Sequence, residues 1–430
     1  MTECAADQVH STLKGGGVTI PHAFTPEGVQ EAFTEGQPLF RDFLKSKEPF
    51  DTLMREHPWL IPPNLKDPLD LEGDHYWNTT TGDRHPDWAG IALPEPTQDL
   101  AQMRADFANW GYTLIEAALS DAQCDRFLTR LLEQADAEAA IGVDLQTPTG
   151  QYVPCLINKG DCFRGAIEHD PEHVQAGPLI EAFLNETLGY GWICHSFLGN
   201  GAYPGRYPQG LHLDQGPLLP WVTSEAPALV NTMFIPQDVD EQNGGTLIVP
   251  GSHKLFIEAG SAGKIQGLRR PINLKARAGT VMVFDGRVLH GTGVNRTSNR
   301  RYVATMSNVK SWMRQQENWV LSTRPEIIDQ ASPKLLHRMG MQSVTWGATV
   351  EGFGLAARGR AGDRAGNIQK FRQAQDQGTY HRVGQLRSAD IKRYHASDFT
   401  LAEVNRWMNT GDEVSSLSRN DRNLKGADPG

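Results

Sequence analysis

The chain has 430 residues, which is long enough for one elaborated domain or two modest ones. Its formal net charge of -10 argues against a general binder of nucleic acids or anionic membranes. No stretch approaches the roughly 18 consecutive apolar residues of a membrane span, and no secretory leader is visible. The five cysteines form no C-x-x-C pair, so we predict reduced thiols in a cytoplasmic protein.

Three regions follow one another along the chain. Residues 1–97 are rich in proline and aromatic residues, and we interpret them as an N-terminal extension packed on the core, with short helices at 26–33 and 39–45. Residues 98–313 form the predicted core domain. Residues 314–430 are polar and helical in pattern, which indicates a C-terminal helical extension, a candidate lid, that ends in a frayed tail.

The core domain begins with helical patterns and continues with strands. A helix, a short strand (GYTLIE) and a long amphipathic helix capped by Ser120 are predicted first. Short strands separated by turn residues follow; they are ICHSFL, ALVNTMFI, GTLIVP, GTVMVF and YVATMSNV. Short strands at this spacing predict a mainly β fold with flanking helices, either an antiparallel sandwich or a jelly roll.

Candidate metal ligands lie in the turn-rich stretch YPQGLHLDQGPLLPW, residues 207–221. In a strand, His212 and Asp214 project from the same face, so they could form half of a metal site. His290, which follows the strand TVMVF, is a candidate third ligand. Two histidines and one carboxylate can bind ferrous iron and leave three coordination positions open, although catalytic zinc also takes three protein ligands. An exposed polar pair and a core histidine are the alternatives.

The strand RYVATM carries a candidate anion-binding residue. Arg301 shares one face with Val303 and Thr305, whereas Arg300 points to the other face. An arginine that faces the interior of a small barrel needs an anionic partner. That partner could be a carboxylate of a bound co-substrate, which a guanidinium binds in bidentate fashion, or a carboxylate of the chain itself.

These motifs resemble a known family. H-L-D (212–214), NGGTLIVPGSHK (243–254) and FDGRVLHGTGVNRTSNRRY (284–302), with upstream segments at 106–127 and 157–174, are similar to the phytanoyl-CoA dioxygenase family of iron(II)- and 2-oxoglutarate-dependent oxygenases. The resemblance covers about residues 98–313. It implies a double-stranded β-helix, a cupin-like jelly roll, with helical extensions at both ends.

The resemblance also implies roles for particular residues. His212, Asp214 and His290 correspond to the ligands of Fe(II), Arg301 to the arginine that binds the distal carboxylate of 2-oxoglutarate, and Gln209 to a second contact with this co-substrate. The implied enzyme consumes O2, releases succinate and CO2, and oxidises an unactivated C–H bond of a small organic metabolite, with hydroxylation as the expected outcome. A zinc-dependent hydrolase and a non-catalytic jelly-roll binding protein are the alternatives. The substrate and the oligomeric state are not indicated.

Further polar residues are interpreted as structural. His253 in VPGSHK matches a turn element of the family, and His195 in ICHSFL is expected to be a core histidine. Lys159 and Arg164 could meet a substrate carboxylate, but we favour a solvated face for them. Met233 aligns with a position at which one branch of the family has an aromatic residue that lines the co-substrate pocket. We therefore do not expect this aromatic contact here.

Overall fold

The structure is a computed structural model, and it describes residues 57, 59, 73, 75–78, 85–215, 226–255 and 267–341. The chain divides into two compact units, residues 1–310 and 311–430, which are described separately below. The predicted helices at 26–33 and 39–45 and the predicted frayed tail lie outside the described residues.

Two helices and a strand open the predicted core domain, as the sequence predicts. Helix α1 (Leu100–Trp110) ends at Gly111, whose φ of 78° suits glycine and whose missing side chain leaves room for Val288. Strand β1 (Tyr112–Ile115) follows. Helix α2 (Asp121–Ala140) starts with a capping box in which Ser120 and Gln123 each bond to the other's backbone N–H.

The main sheet has seven strands in the order β1-β8-β5-β10-β4-β3-β2. All its strand pairs are antiparallel. Its members after β1 are β2 (Leu145–Thr147), β3 (Gly150–Val153), β4 (Ile193–Ala202), β5 (Leu229–Phe234), β8 (Val281–Asp285) and β10 (Arg301–Val309). β5 and β10 are interior strands of this sheet, and all their residues are buried except Thr305, which is half-buried.

A smaller antiparallel sheet contains β6 (Thr246–Ile248), β7 (Ile272–Asn273) and β9 (His290–Thr292), in the order β7-β6-β9. His212 adds a further antiparallel bridge to this sheet because it pairs with His290. The side chains of Met233 and Val303 from the main sheet share one apolar cluster with Ile248 of the smaller sheet. The two sheets therefore face each other as the layers of a jelly roll.

The opposite face of the main sheet is covered by helices. Helix α3 (Asp161–Ile167) places Phe163 against Phe127 of α2 and Phe197 of β4, with ring centroids 5.3 and 6.0 Å apart. Helix α4 (Gly177–Leu188) packs Phe183 against Phe107 of α1. Residues of β4 therefore alternate, with one set against the helices and the other set facing the smaller sheet.

The outer face of the smaller sheet is covered by aromatic residues that precede the core domain. Trp59, Tyr76 and Trp77 form a buried cluster with Leu211 and Leu213, the two neighbours of His212. Since side chains alternate along an extended segment, these leucines pack outward while His212 points inward. The cluster therefore buttresses the segment that carries the candidate ligands.

The second unit contains three short helices in its described part: α5 (Trp319–Ser322), α6 (Pro325–Gln330) and α7 (Pro333–Arg338). α6 and α7 each have proline at their start, where its missing N–H costs no hydrogen bond. Among the described residues of the whole chain, no helix is both long and apolar enough to cross a membrane.

The predicted fold class is confirmed, with one wrong boundary and several omissions. The predicted strand ICHSFL ends at residue 198, but β4 continues to Ala202 because its backbone pairs with Arg301–Val303 on one side and with Tyr152 on the other. The short strands β2, β3, β7 and β9 were not predicted. Each has two to four residues, too few for alternation to be recognised.

Candidate metal centre

The two candidate histidines are direct neighbours in the smaller sheet. The backbone N–H of His212 donates to the carbonyl of His290 at 2.9 Å, and the reverse bond measures 3.1 Å. Their imidazole rings project on the same side, with ring centroids 4.3 Å apart. The sequence separation of 78 residues thus disappears through a single pair of ladder hydrogen bonds.

Asp214 completes the group. Its Oδ1 lies 3.3 Å from Nε2 of His212, and its Oδ2 lies 3.4 Å from Nε2 of His290. One ligand atom from each of the three side chains falls within 4.8 Å of the other two. Among the described residues, no other group of at least three histidine, cysteine, aspartate or glutamate side chains meets this criterion.

Backbone carbonyls orient both imidazole rings. Nδ1 of His212 lies 2.9 Å from the carbonyl of Gly210, and Nδ1 of His290 lies 3.0 Å from the carbonyl of Val288. Because a carbonyl only accepts hydrogen bonds, each Nδ1 carries the proton and donates it. The lone pair of a neutral ring is then on Nε2, the atom directed at Asp214, which is the arrangement that metal-binding histidines require.

The electrostatics of the group suit a cation. Burial raises the pKa of Asp214, but the imidazoles of His290 and His212 outweigh this effect and hold the pKa well below its ordinary value. Burial lowers the pKa of His212, but its hydrogen bond to the Asp214 carboxylate reverses the shift, and the net pKa is raised. The carboxylate therefore stays ionised and attracts positive charge, which a metal ion can supply in place of a proton.

Arg301 points inward, as the alternation in RYVATM predicts, and is buried with 2% of its surface exposed. One Nη2 hydrogen bond goes to the carbonyl of Gly244, while Nε and Nη1 have no partner among the described residues. Burial lowers its pKa to about 10, and nearby Tyr152 opposes that shift. A buried guanidinium with two vacant donors can bind a carboxylate.

Polar side chains lie beside Arg301 and the metal ligands, and the charges of both Asp214 and Arg301 act on one of them, Tyr152. Nδ2 of Asn200 donates to the hydroxyls of Tyr152 and Thr292 at 3.5 and 3.3 Å, and the Thr292 hydroxyl donates to Oε1 of Gln209 at 3.2 Å. Burial is the main cause that raises the pKa of Tyr152 to about 12, and the negative charge of Asp214 raises it further. The Tyr152 hydroxyl therefore keeps its proton at neutral pH. These residues form a polar wall of hydrogen-bonding groups.

Of these polar residues, the family resemblance named Gln209 as a candidate, whereas Tyr152, Asn200 and Thr292 were not named. Thr292 could have been predicted from the sequence, because it follows the ligand His290 by two positions in a strand and must share its face. Tyr152 lies in the unpredicted strand β3, and Asn200 lies in the part of β4 beyond the predicted strand ICHSFL.

The remaining sequence candidates stand apart from this group. Nζ of Lys159 lies 2.5 Å from Oε1 of Glu138, and Arg164 pairs with Asp161, so both cations have partners within the chain. His253 is buried beside Gly111. These contacts favour structural roles.

His195, the expected core histidine, and Met233 are both buried. His195 is 2% exposed on β4. Met233 lies on the inner face of β5, where Thr246 donates a hydrogen bond to its sulfur at 3.6 Å. An apolar thioether therefore occupies the position at which one branch of the family has an aromatic residue.

Comparison with known proteins identifies the domain. Residues 107–303 match the family model of phytanoyl-CoA dioxygenase (PhyH), and this span contains all five candidate site residues. A dioxygenase of Aspergillus fumigatus is 26% identical over 275 residues, 60% of this chain and 81% of the relative. The multifunctional dioxygenase prhA of Penicillium brasilianum is 25% identical over 258 residues, 57% of this chain and 84% of the relative.

Two solved structures are similar to this chain at lower sequence identity. SnoK, a non-heme alpha-ketoglutarate-dependent carbocyclase from nogalamycin biosynthesis, has a TM-score of 0.42 and 19% identity over 54% of this chain and 94% of its own. EctD from S. alaskensis with bound Fe has a TM-score of 0.41 and 17% identity over 54% and 88% of the two chains. Because these scores are low, the assignment depends on the family match instead. Residues 107–303 thus resemble the phytanoyl-CoA dioxygenase family, and the chain is an oxidoreductase, a dioxygenase that uses iron(II), 2-oxoglutarate and O2.

Proposed function

We propose that this dioxygenase hydroxylates an unactivated C–H bond of a small organic molecule. In the balanced reaction, the substrate C–H bond, O2 and 2-oxoglutarate give the alcohol, succinate and CO2. The observation that carries the proposal is the buried Arg301, whose Nε and Nη1 lack partners among the described residues. A dicarboxylate co-substrate would satisfy them, whereas a hydrolase with the same metal ligands would not need this guanidinium.

The donor set fits ferrous iron. His212 and His290 would bind it through Nε2, and Asp214 would bind it through a carboxylate oxygen. Two nitrogens and one oxygen are ligands typical of non-heme iron oxygenases, and they leave positions for a chelating co-substrate. When bound, the iron supplies the activation of O2 that drives the decarboxylation of 2-oxoglutarate and the oxidation of the substrate.

The chain's own residues position the reactants. Arg301 would bind the distal carboxylate of 2-oxoglutarate, and its burial would strengthen that charge-assisted pair because water competes less there. Thr292 and Asn200 belong to the polar wall between Arg301 and the ligands and would hydrogen-bond further oxygen atoms. The protonated Tyr152 hydroxyl can donate a hydrogen bond without adding negative charge beside the carboxylates.

Two half-buried inward side chains of the main sheet support a compact organic substrate. Leu198 and Thr305 face each other across β4 and β10 on the inner side of the main sheet, and each keeps some exposed surface. They offer a methyl-rich surface with one hydroxyl, which suits a largely apolar molecule with a few polar groups. We propose a neutral or weakly charged metabolite of this kind as the substrate.

We further propose that residues 1–97 form an extension packed on the core domain 98–313, and that residues 314–430 form a C-terminal helical extension. The described part of the N-terminal region supports the first proposal. Tyr76 donates to the carbonyl of Gln209 at 3.1 Å, and Nη2 of Arg296 donates to the carbonyl of Trp77 at 3.3 Å. These bonds attach the extension behind the segment that carries the ligands.

Succinate release across a panel of metabolites, with iron(II) and 2-oxoglutarate supplied, tests the proposed reaction. We expect one class of organic molecule to stimulate succinate release and to gain one oxygen atom in mass. Asp214→Ala should abolish both effects. The surface variant Arg104→Ala should retain them, because the exposed side chain of Arg104 pairs with the exposed Glu186 and neither residue belongs to the candidate metal centre. Substrate consumption without succinate formation would contradict the proposal.

A further inference from the structure

Two buried amide–hydroxyl pairs join β5 and β10, and they lie on opposite faces of the main sheet. Asn231 and Ser307 form the first pair, directed toward the metal ligands. Asn308 and Thr232 form the second pair, at 3.0 Å, on the other face. Because all four residues are buried on the same two strands, the second pair shows what a purely structural amide does here.

The first pair continues to a candidate metal ligand. Oγ of Ser307 donates to Oδ1 of Asn231 at 2.6 Å, and Nδ2 of Asn231 donates to Oδ2 of Asp214 at 2.7 Å. A carboxylate can only accept, so the amide must turn its nitrogen toward Asp214 and its oxygen toward Ser307. The hydroxyl of Ser307 then fixes that orientation by donating to the amide oxygen.

Asp214 needs such support more than the two histidines do. His212 and His290 are held by their mutual backbone hydrogen bonds, and each ring is oriented by a carbonyl. Asp214 lies in a bend beyond the bridge that pairs the histidines. Its side chain is therefore oriented from the main sheet across the barrel, not by its own strand.

We propose that Asn231, oriented by Ser307, is a positioning residue that holds the Asp214 carboxylate for metal binding through Oδ1. This inference rests on the proposed function for the identity of the metal. The hydrogen bond from the Asn231 side-chain amide to Oδ2 fixes the plane of the carboxylate and occupies that oxygen, so Oδ1 remains as the ligand atom. Binding through one oxygen keeps coordination positions open for the co-substrate and O2.

The test compares matched substitutions on the two faces of the same strands. Asn231→Leu removes the amide that bonds Asp214, and Asn308→Leu removes an equally buried amide that does not. Ser307→Ala and Thr232→Val form a second pair that deletes only the orienting hydroxyls. Each full-length variant is titrated with Co(II) under anaerobic conditions, and its melting temperature is recorded. The charge-transfer absorption of the iron(II)–2-oxoglutarate complex is measured in parallel.

We expect Asn231→Leu to weaken Co(II) binding about 10- to 100-fold, the usual effect of losing a hydrogen bond to a metal ligand. Ser307→Ala should weaken it about 3- to 10-fold, because the amide loses only its orientation. Both variants should shift the charge-transfer band. Asn308→Leu and Thr232→Val should lower the melting temperature but leave Co(II) affinity within about twofold of wild type.

Wild-type Co(II) affinity and an unshifted band in Asn231→Leu would overturn the proposal, as would equal losses of affinity in Asn231→Leu and Asn308→Leu. If Asn231→Leu does not fold, Ser307→Ala decides the matter, since it removes one oxygen atom. Failure of the proposed function is distinguishable: wild-type protein that binds Co(II) but gives no 2-oxoglutarate-dependent band would refute the co-substrate and leave the Co(II) comparison intact.

Discussion

Arg287 and Arg301 are equally buried, each with 2% of its surface exposed, but their surroundings differ. The guanidinium of Arg287 binds Asp285 in bidentate fashion, with Nε 2.8 Å from Oδ1 and Nη2 2.6 Å from Oδ2. The guanidinium of Arg301 has one hydrogen bond, to the carbonyl of Gly244, and its Nε and Nη1 have no partner among the described residues. One buried charge is paired with a carboxylate, and the other has no such partner among the residues that the structure describes.

The difference separates a structural arginine from one that awaits a ligand. Moving a charge out of water costs several kcal/mol, roughly, unless an opposite charge and hydrogen bonds offset the loss. Asp285 offsets it for Arg287, so that pair can serve the fold alone. No carboxylate among the described residues offsets this cost for Arg301, so the burial of its charge lowers the stability of the ligand-free protein. An anion that binds Arg301 therefore stabilises the folded state.

The largest expected effect is on stability, from Arg287→Leu. The substitution leaves the buried Asp285 carboxylate without its partner, so the free energy of unfolding should fall by about 3–5 kcal/mol in urea denaturation. The double variant Asp285→Leu/Arg287→Leu should be more stable than the single variant, because it removes the unpaired charge. A double variant that is less stable than Arg287→Leu would show that the pair is not what stabilises this turn.

The next effect is on co-substrate binding, from Arg301→Leu. Loss of a buried, charge-assisted pair should weaken 2-oxoglutarate binding to the iron-loaded protein by about 2–5 kcal/mol, or at least roughly 30-fold. The free energy of unfolding without ligand should not fall, since the substitution removes a charge that lacks a counter-charge. Anaerobic titration with 2-oxoglutarate and urea denaturation measure the two quantities.

The comparison between the arginines fails if Arg301→Leu loses as much stability as Arg287→Leu. That result would mean that the chain itself supplies the counter-charge. Retention of wild-type affinity for 2-oxoglutarate would also contradict it. Added 2-oxoglutarate should raise the melting temperature of the iron-loaded wild-type protein and leave that of Arg301→Leu unchanged, which gives an independent readout of the same interaction.

The sequence predicted the parts of the site that follow from alternation and spacing. His212 and Asp214 share a face because they are two apart, and Arg301 faces inward because it alternates with apolar residues in a strand. Short strands separated by turn residues predicted an antiparallel sandwich or a jelly roll. The family resemblance then implied the jelly roll, the ligands and the co-substrate. These features depend on local pattern, which the sequence carries directly.

The missed residues depend on pairings between distant strands. Asn200 lies opposite Tyr152 because β4 and β3 pair in one register, and Asn231 meets Ser307 because β5 and β10 pair 76 residues apart in sequence. Neither register is encoded in a local motif. Asn231 carried one overlooked signal, since an amide in the middle of the apolar strand ALVNTMFI must find a hydrogen-bond partner.

A smaller effect on 2-oxoglutarate binding is expected at Gln209, which supports the polar wall. Oε1 of Gln209 accepts from the backbone N–H and the hydroxyl of Thr292 at 3.3 and 3.2 Å, so we expect Gln209→Met to act on 2-oxoglutarate through Thr292. The loss of about 1 kcal/mol corresponds to roughly fivefold weaker binding. Gln209→Met and Thr292→Val should be non-additive in a double-mutant cycle; additive losses would instead favour direct contact of Gln209 with the co-substrate.

The smallest effect is expected at Arg300, the neighbour that alternation directs away from the site. Nη1 of Arg300 lies 2.6 Å from Oδ1 of Asp136, and both side chains are substantially exposed, at 33% and 62%. An exposed ion pair contributes about 0–1 kcal/mol, so Arg300→Leu should change the free energy of unfolding by less than about 1 kcal/mol. Binding of 2-oxoglutarate should stay within about twofold of wild type, because screened surface charge contributes little at the site.

The acid dependence of this pair gives the final check. The hydrogen bond from Arg300 lowers the pKa of Asp136, so the contribution of the pair is present above the ordinary pKa of an aspartate and is lost as the pH falls through the lowered value. The difference in unfolding free energy between wild type and Arg300→Leu should therefore shrink in acid and in about 1 M salt. Adjacent arginines with opposite consequences are what a strand with one face toward the site requires, and a loss of 2-oxoglutarate affinity in Arg300→Leu comparable to that in Arg301→Leu would contradict that orientation.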